Sequence, residues 1–439
     1  MLWKDRFKKY FKLSSKIFRN SYYLWNPCKT NNIRNNIKTE SWFNILESNN
    51  PDYKQPVITN FYKNDNNEFI KCKKIRFYPT RKQRHLLHSW FKSFIIMYNK
   101  TIKYLNQLRF NKQPLILNWR RLRKLLINIK KDIIKKSKIN THVLDEAIKS
   151  ACASFKSAFT NYKRGFIKRF RIRYIKLSKP KKILHIEKRF VAKHINTFCS
   201  RIFKDPFRCE NEYQLKNITS DFKIHYNSRD NKYTFLIPNK IYGNEKHDKL
   251  NTIGLDPGIR TFLTGYSQKG YVDINQNMTE HLKKYINKID KVNNDKRATT
   301  KQKRKVEKRC YKKIENKIDD MHWKTIKYLI NNYNTVLMGN MSTRRIVSNK
   351  LNSKLRPLTK RIAMLMKLYV FKQRLQYKCK INKIGYKEID EAYTSKCCSN
   401  CGLLNNKLGT SKIFKCPCCK QILDRDVNGV KNILINAIY

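Results

Sequence analysis

Four cysteines near the C-terminal end constrain this chain more than any other feature: Cys398-x2-Cys401, fourteen residues, then Cys416-x2-Cys419. Two CxxC turns on facing hairpins bring four thiolates to the corners of a tetrahedron, the arrangement Zn²⁺ takes in structural sites. Cys397 and Cys418 lie beside the four, but neither alternative pair keeps both spacings at two residues. The other cysteines are scattered and read as buried small hydrophobes. The N-terminus, MLWKDRFKKYFKL, is charged throughout and has no apolar core of a secretory signal. The thiols are therefore expected to be reduced and metal-bound, in an intracellular protein for which the nucleus is one candidate location. No run approaches the roughly 20 apolar residues of a membrane span, so no membrane partner is expected.

Charge supplies the second bound. Lys and Arg total 98 against 31 acidic residues, a net +67. A compact fold carrying that charge repels itself strongly, so a polyanionic partner is expected and nucleic acid is the natural one. Small-molecule metabolism and an acidic-protein scaffold are excluded on the same ground. With 40% apolar and 12% aromatic residues the chain can still build cores, and 439 residues suggest about three structural units.

Along the chain, residues 1–26 alternate aromatics with Lys and Arg, as a basic amphipathic tail or a nucleic-acid-contacting arm would. Residues 27–56 are Asn-rich, interrupted by prolines, and read as linker. Lys73–Tyr78 alternates as a half-buried strand and stops at Pro79. Thr80 and Gln83 then fit a capping box opening a helix whose stripe is Leu86, Leu87, Trp90, Phe91, Phe94, Met97 and Tyr98. A densely basic helical pattern, including Lys130, runs on to about Phe170. From Lys182 to about Lys240 the pattern changes to short strands, including a hairpin in FKIHYNSRDNKYTFLIP, which the first strand could rejoin. NTIGLDPGIRTFLTGYS reads as two apolar strands around a Pro-Gly turn. Two basic helices follow, with stripes Leu282–Val292 and Val306–Met321, expected to pack antiparallel. NTVLMGNM is a buried strand, Leu355–Tyr377 a helix, Lys380–Ile389 a strand, and a last helix starts near Asp426.

Two carboxylates stand out. Asp256 ends an apolar strand and Asp426 opens the last helix; two-metal phosphodiester hydrolysis needs hard oxygen ligands converging from distant segments. Each also has a plain structural reading, Asp256 as a turn residue before Pro-Gly and Asp426 as a helix cap beside Asp424.

IGLDPGIRTFLTGYS, then YTSKCCSNCG, FKCPCCKQ and LDRDVNGVKNIL, resembles the C-terminal half of TnpB, the transposon-encoded RNA-guided nuclease. The likeness is nearest to its eukaryotic and giant-virus relatives called Fanzor. IRFYPTRKQRHLLHSWFKSFIIMYNKTI resembles that family's N-terminal region, so the likeness covers about residues 70–439. It implies an α/β plus α+β architecture. A RuvC-type, RNase H-like nuclease domain (251–393 and 423–439) would carry a zinc ribbon (394–422). A wedge-like β domain (71–80 and 171–250) would be split around a helical recognition domain (81–170), with residues 1–70 as a basic extension. It further implies a guide RNA, a double-stranded DNA target, catalytic Mg²⁺ and a role in DNA transposition and recombination. Asp256 and Asp426 correspond to the first and third catalytic carboxylates.

The family's middle carboxylate falls at Gly339, which has no side chain to offer. Fanzor-like members lack that Glu and use one nearer the ribbon, which here is Glu391. Glu280, Glu307 and Glu315 lie on basic helices, where acids are usually solvated. Glu388 and Glu391, three apart on an extended chain, point to opposite faces, so one alone can face metal. The expected set is thus Asp256, Glu391 and Asp426, cutting guided DNA. If no acid replaces residue 339, a nuclease-inactive guided DNA binder is the alternative. An unguided transposase would need its own nucleophile, and no HUH pair or serine-recombinase motif is present. His322 reads as a core or RNA-contacting residue.

Overall fold

The computed structural model describes residues 42–47, 68–243, 251–348 and 355–438, without positions 169, 171, 193, 268, 277 and 410. The basic stretch 1–26 and most of the Asn-rich segment lie outside the described residues. The chain divides into two units, residues 68–241 and the remainder. Within the expected linker, Ile45–Glu47 is a strand, β1. It pairs antiparallel with residues 272–274, and the Asn44 carbonyl accepts the Asn275 N–H at 2.8 Å. Three residues carry no periodicity to read; an open sheet edge, not local propensity, makes them a strand.

In the 68–241 unit, β2 (Glu68–Tyr78) ends before Pro79. Thr80 caps α1 (Arg81–Phe110): its hydroxyl accepts the Gln83 N–H at 3.3 Å, and the Gln83 side chain accepts the Thr80 N–H at 2.9 Å. Three helices follow, α2 (Trp119–Leu125), α3 (Ile127–Ser137) and α4 (Thr141–Lys163). Lys130, part of the basic run in sequence, is buried on α3 and paired with Asp145 of α4, which Arg123 also approaches at 3.4 Å. Then come β3 (Lys181–Ile186), the two-residue strands β4 (Val191–Ala192), β5 (Thr197–Phe198) and β6 (Arg208–Cys209), and the hairpin β7 (Phe222–Asn227) and β8 (Lys232–Tyr242). One sheet runs in the order β3-β7-β8-β2-β6. The strand preceding the helices thus joins strands that follow them. Phe77 of β2 fixes that union by stacking on Phe235 of β8 at 4.0 Å between ring centres.

The other unit centres on a sheet ordered β1-β11-β10-β9-β12-β13. Its strands are β9 (Thr252–Pro257), β10 (Leu263–Ser267), β11 (Gly270–Ile274), β12 (Thr335–Gly339) and β13 (Gly385–Ile389). β9, β10 and β11 form an antiparallel meander, while β12 lies parallel to β9 and β13 parallel to β12. Strands buried on both faces read as continuous apolar runs, which is why VLMG and TIGL carry so few polar residues. Helices α5 (Met278–Asn294) and α6 (Thr300–Asn332) pack antiparallel. Asn293 reaches Glu307 beside their connection, and Asn275 lies against both Met278 and Met321 at the far end. After a short α7 (Thr343–Val347), the helix expected over 355–377 is two helices, α8 (Pro357–Leu365) and α9 (Leu368–Ile381). Lys367 between them is left-handed, at φ +49°. The Met366 carbonyl is bonded at 3.0 Å to Nε2 of His322, which breaks the ladder there. α9 takes the first residues of the expected strand 380–389, leaving β13 at Gly385–Ile389.

His322 is fully buried between Phe262 and Phe371, as a core residue. Arg374 donates to Nδ1 at 3.1 Å, so Nε2 carries the proton that Met366 accepts. Burial lowers its pKa to about 4. The chain ends in the hairpin β14 (Ile413–Lys415) and β15 (Ile422–Asp424), then α10 (Arg425–Ile438). Val430, Ile433 and Leu434 of α10 pack on Leu337, Ile389 and Tyr266, across the sheet from Leu255, Met338 and the α5–α6 side. Among the described residues, no helix is long and apolar enough to cross a membrane.

Candidate active site and metal centre

The four expected cysteines come together. Sγ of Cys398 lies 3.7 Å from Cys419 and Sγ of Cys401 lies 3.5 Å from Cys416, all four atoms being within 4.8 Å of one another. Zinc–thiolate bonds of 2.3 Å in a tetrahedron separate the sulfurs by about 3.8 Å, so the cage fits Zn²⁺. The backbone forms two knuckles: the Gly402 N–H bonds the Cys398 carbonyl, and the Cys416 N–H bonds the Gln421 carbonyl, each at 2.9 Å. Burial pushes the Cys398 and Cys401 thiols up, Cys401 to about 12, so a cation is needed to hold both as thiolates. Cys397 instead points its thiol at the Gly402 carbonyl, 3.2 Å away, and Cys418 is exposed.

Asp256 stands near the end of β9. Leu255 is opposite Met338 in the parallel β9–β12 pair, so the next step sets Asp256 beside Gly339. Side chains alternate along a strand, and both positions face α10, away from Leu255 and Met338. A Cβ built on Gly339 would collide with Oε1 of Glu391 and come within 2.6 Å of its Cδ and 2.8 Å of its Cγ. The Glu391 carboxylate therefore occupies the space in which a side chain at position 339 would begin. The Met341 N–H donates to its Oε1 at 3.0 Å. Burial holds its carboxyl up at about 7, against that hydrogen bond and the positive charge of Lys372. Close approach of a divalent cation would reverse such a shift.

Glu388, the other candidate in sequence, is engaged elsewhere. It accepts from the buried Lys372 at 3.3 Å and from the Tyr386 hydroxyl at 3.1 Å.

Asp426 is exposed in the first turn of α10. The cap belongs to Asp424, whose Oδ1 accepts the Asp426 N–H at 2.8 Å and the Val427 N–H at 3.4 Å. Gly429, one turn later, lies over Asp256: a Cβ there would sit 3.0 Å from Asp256 Oδ2. Glycine thus lets the helix bearing Asp426 come down onto the strand bearing Asp256. All three carboxylates share one end of the sheet, on the α10 face. Among the described residues only the cysteines form a set of three or more such ligands within 4.8 Å; the acids are set wider.

A family model described as a Cas12f1-like TNB domain matches residues 369–433, and one described as a probable transposase, OrfB_IS605, matches residues 224–350. TnpB-like protein L79 of Acanthamoeba polyphaga mimivirus is 32% identical over 444 residues, covering 91% of this chain and 83% of the relative. The chain belongs to the TnpB-like family. Putative transposase R186 of the same virus is 28% identical, covering 94% of this TnpB-like chain and 90% of the relative. A cryo-EM structure of a Cas12f1–sgRNA–target DNA complex aligns over 84% of this chain and 99% of its own, at 16% identity and a TM-score of 0.46.

Three residues at the TnpB-like site were given no structural role in the sequence reading, although Asn428 belongs to the LDRDVNGVKNIL stretch. Asn428 and Asn432, one turn apart on α10, donate to the carbonyls of Thr394 and Cys397 at 2.6–3.4 Å. The Ser399 N–H returns a bond to Asn428 Oδ1 at 2.9 Å. Asn340 spans Asp390 and the Glu391 N–H from the end of β12. The i, i+4 pairing of two asparagines on an otherwise apolar helix face was the available signal.

Proposed function

We propose that this chain is an RNA-guided DNA endonuclease of transposon biology, with Asp256, Glu391 and Asp426 holding catalytic Mg²⁺. The observation that carries the reading is the carboxylate of Glu391 standing in the place of a residue-339 side chain, next to Asp256. A vacant Gly339 would favour the inactive guided binder; an acid supplied from 52 residues later favours the nuclease. The sheet order supports a RuvC-type, RNase H-like reading of 251–393 and 423–439: an antiparallel meander, with two further strands parallel to its first. The β sheet closed by residues 68–78 supports reading 71–80 and 171–250 as a wedge around the helices of 81–170. A net +67 suits a protein that grips a guide RNA and duplex DNA through phosphates.

Bound at these carboxylates, Mg²⁺ would supply an activated water and charge stabilisation at the leaving oxygen. The chain's own part is placement. β9 fixes Asp256, the Met341 N–H orients Glu391, and the Asp424 cap holds the turn that carries Asp426.

The test is expression with flanking transposon DNA, sequencing of copurified RNA, and cleavage of a plasmid matched to that RNA. Glu391→Gln should abolish cutting while RNA and target binding persist. Wild-type cutting by Glu391→Gln, with loss in Glu388→Gln, would move the site to the other glutamate. Absence of a discrete copurifying RNA would sink the guided part of the reading.

A further inference from the structure

The long helix α6 changes character along its length. In its C-terminal half the charges are paired: Glu315 with Lys367 at 3.2 Å, Asp319 with Arg374 at 2.8 Å and Asp320 with Lys324 at 2.9 Å. Between Thr300 and Lys313 it carries eight cations and one acid, Glu307, which bonds Asn293. Seven of the eight are exposed and fall into two rows that each step four residues. Lys301, Lys305, Arg309 and Lys313 form one row; Arg304, Lys308 and Lys312 form the other. Four residues of helix rise about 6 Å, so the longer row spans about 18 Å. Cys310, Ile314 and Ile318 are buried on the far side, which fixes the direction the rows face. Among the described residues only Lys312 of the seven forms an ion pair, at 3.5 Å to Glu315. Like charges four residues apart destabilise a helix, and a face meant only for solvent would be interspersed with acids, as the rest of α6 is. The surface is also preformed. Thr299 and Gln302 make a capping box, and Nζ of Lys303, the eighth cation, donates to the Asn293 carbonyl at 2.8 Å.

We infer that this face of α6 is a docking track for double-stranded DNA, gripped through its phosphates without regard to sequence and without help from a guide. Two rows of cations suit the two backbones of a duplex. A single strand is held largely by stacking on aromatic rings. The one aromatic of the stretch, Tyr311, instead accepts from Arg361 of α8 at 2.9 Å. Duplex RNA is recognised partly through its 2′-hydroxyls, which donate as well as accept. Lys and Arg have no acceptor atom, and none of the seven positions holds Ser, Thr, Asn or Gln. Contacts to phosphate carry no sequence information, so such a track lets a protein slide along DNA before any pairing is tested. Guide-independent capture of duplex DNA goes beyond the nuclease reading and rests on it only for the use made of the captured DNA.

The experiment uses the full chain as purified and a short fluorescent DNA duplex that matches no copurified RNA, titrated in magnesium-free buffer over a range of salt. The triple variant Lys305→Gln, Lys308→Gln, Arg309→Gln keeps good helix formers and relieves repulsion, so it should melt at or above the wild-type temperature. It should bind the duplex about tenfold more weakly, and its log–log salt slope should fall by about 2.7, at about 0.9 per lost phosphate contact. Lys305→Arg with Lys308→Arg keeps the charge and should bind as wild type does. Lys131→Gln, Lys135→Gln, Lys136→Gln removes the same charge from exposed positions of α3 and should change neither value. Equal loss in both Gln triples would show a diffuse charge effect and overturn the inference. Stronger displacement of the probe by an RNA duplex or an RNA–DNA hybrid of the same length would overturn the assignment to DNA. Wild-type binding by the α6 triple, with guided cutting normal, would overturn the inference and leave the nuclease reading intact. Duplex binding that depends on α6, in a chain that never cuts, would support the track and overturn the nuclease reading instead.

Discussion

Gly339→Ala tests the site through a single methyl group. Alanine favours a strand over glycine, so on local grounds the substitution should leave β12 as stable or more so. Its Cβ, however, would come within 2.6 Å of Cδ and 2.8 Å of Cγ of Glu391, where carbon contacts normally begin near 3.5 Å. The backbone of β12 is fixed between β9 and β13, so the Glu391 side chain must retreat by about 1 Å. A catalytic group misplaced by that distance costs about a hundredfold in rate, about 2.7 kcal/mol. The assay is single-turnover cleavage of a guide-matched plasmid by the purified ribonucleoprotein, with the melting temperature and RNA content measured alongside. The expected outcome is a loss of about two orders of magnitude with both controls unchanged. A companion, Gly339→Glu combined with Glu391→Gly, returns the acid to β12 and should recover part of the rate. Gly339→Ala cutting within threefold of wild type would refute the claim that Glu391 acts from that space.

Metal analysis of the wild type should find one zinc per chain; Cys416→Ser should lose it and unfold the ribbon locally, read as new proteolytic cleavage between residues 394 and 424. Asn428→Ala leaves the buried Ser399 N–H without its acceptor and takes one of two amide donors from the Thr394 and Cys397 carbonyls, and should lower stability by about 2 kcal/mol in urea unfolding, with RNA content unchanged. His322 gives a pH signature: with its folded pKa near 4 and an unfolded value near 6.5, unfolding captures a proton. Its contribution is intact above pH 6.5 and is lost as pH falls toward 4, by at most about 3 kcal/mol. His322→Gln should flatten the pH 7-to-4.5 difference in urea midpoint relative to wild type, and an unchanged difference would reject this assignment.

What the sequence disclosed was whatever is local and chemically scarce. The four cysteines announced their cage because thiolate pairs at CxxC spacing have few other uses, and Thr80 with Gln83 announced a helix start because both halves of the box lie within four residues. Glu391 was singled out through the family resemblance together with elimination among five glutamates, but the room its carboxylate occupies was not legible. That room is the missing side chain of a glycine 52 positions earlier, visible only once β12 and the segment after β13 are neighbours. β1 was read as linker because an edge strand borrows its hydrogen bonds from a distant partner. The break at Lys367 was missed because it follows from a carbonyl diverted to His322. Lys130 looked like one more solvated lysine until α4 brought Asp145 against it.

The asparagine clamp on the ribbon has a thermodynamic consequence for the acids on either side of it. Glu391 and Asp426 are separated by about 34 residues, and bringing together the ends of so long an unconstrained segment would cost about 3 kcal/mol in chain entropy. Asn428 and Asn432 grip the segment at Thr394 and Cys397, while Cys398 and Cys419 bring their sulfurs to 3.7 Å, where zinc held by the cage would cross-link them. The effective loop between the two acids shrinks to the few residues outside those staples. The tip of the ribbon between Leu403 and Lys412 then lies outside the closure, so insertions or deletions there should leave the distance between the acids untouched. A single residue added between Glu391 and Thr394, by contrast, shifts one acid relative to the other with nothing to absorb it.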